Sequence, residues 1–428
     1  MFFSPSSRWL VAAILALALV IRMGAAYWWQ SRVPAGQRFG FPDSESYWEL
    51  GQQIAAGKPY EFGPIPYRIF RTPGYPLLLS PIFLIGGQHA PVMAGRMLSV
   101  VLGMITVLLA AILARQLFDE RVALLTALAV AIYPEAIAQS VFVLSEAPFT
   151  PLMMVQLIAW IAAVKSKSRS DVAGWALAAG MAAGLATLMR PSWLLFLPFA
   201  GVLTLLWPAL RWKQMAIGGL MIVSFCLTMT PWWIYTTVIA GRFVPTSLQV
   251  GASLYDGLHP EASGASDMRF VREFVHEQRR ADLLQKPDPR QLFEDRLDER
   301  MKQASLSWAE SNPGRVAELA VVKFLRIWSP WPNAAEFRSI SLRLVLMLSY
   351  TPALILAVIG FWHARKLGWQ VFLLVTPAIY FTLLHVIFVS SIRYRQPAMI
   401  PLLILSAVAV AALLQYLNPK TKDQSPKT

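Results

Sequence analysis

The chain has 428 residues, 56% of them hydrophobic and only 14% charged, with 38 basic and 24 acidic side chains and a formal charge of +14. A soluble globular chain carries about 25% charged residues, so a water-soluble protein is excluded; the 30 Pro and 16 Trp exclude a coiled coil, and the apolar fraction excludes disorder. A single Cys, Cys226, excludes a disulfide framework and a Cys-rich metal site, and the positive charge has no soluble basic face that would suit nucleic acid. The composition is that of an all-α integral membrane protein.

A membrane span needs about 20 mostly apolar residues. In chain order the candidates are 9–31 (interrupted by Arg22), 97–114, 122–145 (interrupted by Glu135), 147–164, 172–189, 191–210, 214–241, 344–362, 367–392 and 396–419, about ten spans in all. Residues 73–88 are also apolar, but the Pro-bounded core is too short to cross and reads as an interfacial or re-entrant segment. Residues 9–26, ending in Gly-Ala-Ala, also resemble a leader, but Arg22 and the pair Trp28–Trp29 suit a retained span better.

With the N-terminus in the cytoplasm, the inner segments hold 13 basic and 4 acidic residues, as the positive-inside rule expects. Tyr27, Trp28, Trp29, Trp232, Trp233 and Tyr235 then form aromatic belts at the outer ends. This division predicts an N-terminal membrane module (1–237) whose first outer loop (32–72) carries the candidate site. A mostly helical extracytoplasmic region (238–340), C-terminal spans (341–419) and a cytoplasmic tail (420–428) follow. Both termini are expected in the cytoplasm of a multi-pass protein of the bacterial inner membrane, with the site facing the periplasm. Within 267–310, Phe270, Phe274, Leu283, Leu284, Leu292, Phe293 and Leu297 form a rough helical stripe, read as a face packed on the membrane domain. Walker, GxGxxG and HExxH motifs are absent.

The first outer loop reads Phe-Pro-Asp-Ser-Glu-Ser-Tyr-Trp at 41–48. Asp43 precedes a predicted helix over 44–56 and can serve as its N-cap. It also has chemical company: Glu45 lies two residues on and Tyr47 one helical turn on. Arg22, inside the first span, needs a partner or hydration; a carboxylate cluster above it and snorkelling to headgroups both offer that. Arg68, Arg71, Arg96, Arg190, Arg393 and Arg395 lie at outer span ends, where charge topology does not ask for them. Each alone suits lipid phosphate; as a converging set they point to an anionic substrate, because the guanidinium fork binds phosphate through two parallel bonds. Glu146 is a second acid at the same depth, readable as part of the site or as a buried salt bridge. Asp43, Glu45, Glu61 and His259 could contribute metal ligands, without a two-His or Cys spacing.

Six segments together carry a resemblance. They are DSESYWELGQQIAAGKPY (43–60), RTPGYPLLLSPIF (71–83), GLATLMRPSWLLFLP (184–198), TPWWIYTTVIAGRFVPTS (230–247), SNPGRVAELAVVKFLRIW (311–328) and SIRYRQPAMIPLLIL (391–405). In their order and spacing the chain resembles the GT-C glycosyltransferases that use polyprenyl-phosphate sugars, the group of the protein O-mannosyltransferases and the aminoarabinose transferases of lipid A. The resemblance implies a GT-C bundle in which Asp43 is the catalytic acid of the first outer loop and Glu146 the acid of the fourth span. It implies a polyprenyl-phosphate sugar as donor and, by the residue types, an inverting displacement with Asp43 as general base. Glu45 is expected to assist. Arg22, Tyr47, Arg71, Arg190, Arg393 and Arg395 are expected to bind substrate phosphate, and a divalent ion would rest on Asp43, Glu45 and His259. Two departures argue against a protein acceptor and for a lipid or glycan: Ser44 separates Asp43 from Glu45, and the lumenal sugar-binding insert is missing. The competing reading is a transporter or flippase for a lipid-linked sugar, which would need midplane broken helices and inverted repeats.

Overall fold

The computed structural model describes residues 3–207, 211–285, 287–288, 291–332 and 339–417. The described residues are almost wholly helical, with one isolated bridge, Phe62 to Tyr67, as the extended element. The tail from Lys420 lies outside them.

The helices are α1 (Pro5–Arg32), α2 (Pro42–Ala55), α3 (Gly74–Gly86), α4 (Val92–Leu117), α5 (Glu120–Ile132), α6 (Pro134–Gln139), α7 (Glu146–Lys165), α8 (Arg169–Met189) and α9 (Phe196–Thr204). They continue with α10 (Arg211–Ala240), α11 (Val250–Gly257), α12 (Met268–Gln285), α13 (Phe293–Ser311), α14 (Pro313–Ile327), α15 (Ile340–Ala364), α16 (Trp369–Ile387) and α17 (Ile392–Leu417). Local chemistry sets several starts. The Ser4 hydroxyl accepts the N–H of Ser7 ahead of Pro5, and the Asp119 carboxylate accepts the N–H of Val122 at 2.9 Å.

Eight of these helices are long and apolar enough to cross a membrane: α1, α4, α7, α8, α10, α15, α16 and α17. The two other expected spans are broken. Pro134 divides 122–145 into α5 and α6, and 191–210 holds a short 3₁₀ turn (Pro191–Trp193) followed by the nine-residue α9. Residues 74–86, expected not to cross, form the 13-residue α3 against α2.

The bundle is layered. In its most apolar stretch α7 is 83% buried inside the protein and α17 78%, against 22% for α1. These two are the central helices, and α1, α10 and α15 turn apolar flanks outward, with Trp9, Val20, Leu227 and Leu348 exposed. Helices approach closely at glycines: a Cβ on Gly180 would lie 2.1 Å from the Met221 carbonyl, and one on Gly360 1.8 Å from that of Leu405.

The region after α10 caps one end of the bundle. Phe270, Val271, Leu297 and Met301 are buried against Ala252, with Tyr67 and Phe70 of the first loop beside them. The expected stripe is therefore only partly right. Phe270, Phe274, Phe293 and Leu297 pack on α11 and the first loop, whereas Leu283 and Leu284 are 73% and 85% exposed. They lie in the last turn of α12, which ends at Gln285.

Candidate active site

Pro42 fixes the first position of α2, so Phe41 takes the N-cap place with extended backbone, and Asp43 falls in the first turn. The expected capping role for Asp43 is thereby corrected: its carboxylate is free to turn to side chains. Arg71 donates from Nη2 to Asp43 Oδ1 at 2.8 Å, and Arg393 donates to Oδ2 at 3.3 Å. Arg393 also lies 3.2 Å from Glu146 Oε1 through its Nε, and Arg190 reaches the same oxygen at 3.0 Å. The five side chains thus alternate in charge: Arg71, Asp43, Arg393, Glu146, Arg190. Among these five described side chains the cations outnumber the anions three to two.

Backbone dipoles add to that excess. Asp43, Glu146 and Arg393 stand in the first turns of α2, α7 and α17, so three helix N-termini meet here, two of them belonging to the most buried helices. Helix N-termini favour anions through free N–H groups and the macrodipole.

Arg71 is held from several sides. Its Nε donates to Ser46 Oγ at 3.1 Å and its Nη1 to Gln249 Oε1 at 3.3 Å. Its guanidinium lies 4.8 Å above the Tyr47 ring, and Tyr60 donates its hydroxyl to the Arg71 carbonyl. The segment leading to it is clasped by Glu294 of α13, whose carboxylate accepts the backbone N–H of Arg68 at 2.9 Å and of Ile69 at 3.0 Å. Burial is what pushes the Glu294 carboxyl up, to about 7, against the pull of those two N–H groups. For Asp43, burial acts upward as well, but Arg71 and then Arg393 outweigh it and hold the carboxyl at about 2.

A cavity of about 420 Å³ opens beside the charged chain, lined on this side by Asp43, Arg71, Arg393 and Tyr394. It is roomy enough for a monosaccharide and a phosphate.

Four expected site residues are not brought here. Arg22 is fully buried and, among the described residues, pairs with no acid: it donates to the carbonyls of Ala131 (2.8 Å) and Val130 (3.0 Å) and to Ser140 Oγ. Pro134 has no N–H for the Val130 carbonyl, and Arg22 supplies the missing donor. Glu45 pairs with Arg38 on the exposed side of α2. Arg395 forms a separate buried pair with Glu135 at 2.6 Å and lies 3.5 Å over the Tyr350 ring. His259 stacks on Phe270 with centroids 4.4 Å apart. The metal set is corrected accordingly: among the described residues no group of three or more His, Cys, Asp or Glu side chains could hold a metal ion. Asp43 and Glu146 are instead each engaged by two arginines.

The fold is similar to that of solved structures. The chain aligns with the archaeal oligosaccharyltransferase AglB from Archaeoglobus fulgidus, in complex with an inhibitory peptide and a dolichol-phosphate. The TM-score is 0.61 at 12% identity, over 99% of this chain and 53% of that one. The apo form of the Archaeoglobus fulgidus oligosaccharyltransferase aligns with the same score at 13% identity, over 96% and 51%. The fold is the GT-C bundle. The chain spans about half the length of these GT-C structures. A third alignment, with ArnT from Cupriavidus metallidurans bound to undecaprenyl phosphate, covers 98% of this chain and 81% of that one at 16% identity and a TM-score of 0.45. In sequence, residues 71–235 match the family described as dolichyl-phosphate-mannose-protein mannosyltransferase. That stretch includes Arg71, Glu146 and Arg190 and leaves out Asp43 and Arg393. No curated protein sequence matches the chain.

Sequence reasoning missed Ser46, Gln249 and Glu294. Ser46 was within reach, since it lies one turn from Asp43 on the same helix. Gln249 and Glu294 sit in no motif, and only tertiary folding brings them to Arg71.

Proposed function

We propose that this protein transfers a sugar from a polyprenyl-phosphate donor to the hydroxyl of a lipid or glycan acceptor. The observation that carries this reading is the five-member charged chain, three arginines to two carboxylates, set at three helix N-termini beside the cavity. An anionic phosphodiester completes that charge pattern.

In the free site Asp43 is a weak base, because two guanidinium groups hold its carboxyl near pH 2. A donor phosphate competes for the same guanidiniums. As Arg393 and Arg71 turn to the phosphate, the Asp43 carboxyl rises towards its ordinary range and becomes able to accept a proton. The acceptor oxygen then attacks the anomeric carbon from the face opposite the phosphate and its proton passes to Asp43. The bond between the anomeric carbon and the phosphate oxygen breaks, and its electron pair stays on the departing polyprenyl phosphate. The arginines meet the charge that grows on that phosphate, which lowers the barrier more than it tightens ground-state binding. The anomeric configuration inverts. Glu146 keeps Arg190 and Arg393 in place, and no metal ion enters the scheme.

The charge distribution along the chain supports a location in the bacterial inner membrane, with the site on the periplasmic side and both termini in the cytoplasm. The test is transfer of radiolabelled sugar from polyprenyl phosphate by the protein in detergent. Asp43→Asn is expected to lower the rate by about 10²–10⁴-fold with folding intact; near wild-type transfer would remove Asp43 as the base. Transfer without a sealed membrane also separates this reading from a flippase.

A further inference from the structure

Resting on that donor reading, we infer that the wall of the cavity built by Asp256 and Gln396 is the subsite that holds the hydroxyls of the transferred sugar.

Asp256, in the last turn of α11, is 3% exposed and lines the same cavity as Asp43. Its situation is unusual among the buried acids. Glu135, Glu146, Asp282, Asp295 and Asp298 each lie within 4 Å of an Arg or Lys nitrogen, and Glu294 is occupied by two backbone N–H groups of the first loop. Asp256 forms no salt bridge among the described residues. It accepts the Ser266 hydroxyl at 2.6 Å on Oδ2 and the Asp267 N–H at 2.8 Å on Oδ1. A carboxylate has about four acceptor positions, so each oxygen keeps capacity for a further donor.

Gln396, one turn into α17 from Arg393, gives a second and independent sign. It is 3% exposed and lines the cavity, and its buried Oε1 has no hydrogen-bond partner. A buried polar atom left without a partner is costly, and native structures rarely tolerate one without a ligand or water to fill it.

The open atoms, the Asp256 carboxylate oxygens and Gln396 Oε1, are acceptors. What they lack is a set of neutral O–H donors, and a monosaccharide supplies several from one face. An apolar group would leave these acceptors unmet. Arg71 and Arg393 line the same cavity from the first loop and the start of α17. One glycosyl phosphate can therefore place its anion on the arginines and its hydroxyls on this wall, which fixes the sugar relative to Asp43.

The experiment measures binding of two ligands to the full chain in lipid nanodiscs: undecaprenyl phosphate, and undecaprenyl phosphate carrying glucose or mannose. Wild type is expected to bind the sugar-bearing lipid about tenfold or more tightly, the worth of one or two hydrogen bonds to a charged or buried acceptor. Asp256→Asn, which keeps an oxygen for the Asp267 N–H, and Gln396→Met are each expected to reduce that preference to about threefold or less. Affinity for bare undecaprenyl phosphate should stay unchanged in both. Equal binding of the two lipids by wild type overturns the subsite while leaving the phosphate site standing, as does a preference undiminished in both variants. Failure of wild type to bind either lipid overturns the donor reading, and this inference with it.

Discussion

The guanidinium of Arg393 lies 3.3 Å from the carboxylate of Asp43, a residue 350 positions earlier in the chain. The contact joins the start of α17 to the start of α2, and with Arg71 it outweighs burial and brings the Asp43 carboxyl down to about 2. A folded-state pKa below the ordinary carboxylate value means that these pairs stabilise the protein fully above about pH 4. That contribution is lost as the pH falls from there towards 2. Arg393→Gln removes one of the two restraining cations, so Asp43 titrates at higher pH. We expect the acid limb of kcat/KM to move upward and the plateau to fall by about 10²–10³-fold, the cost of one donor to a developing anion. A pH profile of sugar transfer for both proteins checks this; an unmoved acid limb would show that Arg393 does not govern Asp43.

The carboxyl of Glu294 behaves in the opposite sense. Burial raises it from 4.5 to about 7, although two backbone N–H groups bind it. Between these values the folded protein holds a proton that the unfolded chain releases. The resulting stabilisation is complete below about pH 4.5 and disappears as the pH rises through 7. Glu294→Gln keeps an acceptor for the Arg68 and Ile69 N–H groups and does not titrate. Its melting temperature is expected to stay nearly flat between pH 5 and 8, where wild type declines. Thermal melts across that range in detergent test the point, and parallel curves would count against it.

Which parts of this architecture could be read from the chain follows from the range of the interactions involved. The long spans were legible because about 20 apolar residues in a row have few other uses. The break at Pro134 fell inside an apolar run, and hydropathy does not register a missing N–H. Asp43, Arg71, Glu146, Arg190 and Arg393 were legible as outer charges, since a charge at a span end calls for an explanation. Their order along one ion chain was not, because Arg393 could equally have faced lipid phosphate. Arg22 drew attention as an intramembrane cation and Arg395 as an outer one, and here a broken helix end and Glu135 satisfy them. Asp256, Gln249 and Glu294 lie in a charge-balanced region where one more polar residue carries no signal.

Close helix packing gives a prediction independent of the site. A methyl group at Gly360 would meet the Leu405 carbonyl at 1.8 Å, where α15 crosses the central α17, and one at Gly180 would meet the Met221 carbonyl at 2.1 Å. Backbone cannot yield as a side chain can, so either helix must move outward. Gly360→Ala and Gly180→Ala are each expected to cost about 1–3 kcal/mol. Gly218→Ala, where nothing lies within 4 Å, is the control and should be neutral or slightly stabilising. Unfolding midpoints of the three variants in detergent decide the matter; equal midpoints would mean that the helices do not approach as described.

The pair of Glu135 and Arg395 separates structural charge from functional charge. Both side chains are 1% exposed, their atoms are 2.6 Å apart, and Arg395 also donates to the carbonyls of Ile327 and Ser329. Removing one member leaves an uncompensated charge in the interior, so Arg395→Met is expected to destabilise by about 3–5 kcal/mol. Replacing both, as Glu135→Leu with Arg395→Met, removes the charge with its partner and should recover most of that loss, since a buried ion pair contributes little over an apolar one of similar volume. The carbonyls that Arg395 serves limit the recovery. A double-mutant cycle on unfolding free energy measures the coupling directly. Additive single effects would mean that the two charges are not coupled, and a double variant that folds but loses transfer would return Arg395 to the substrate-binding set.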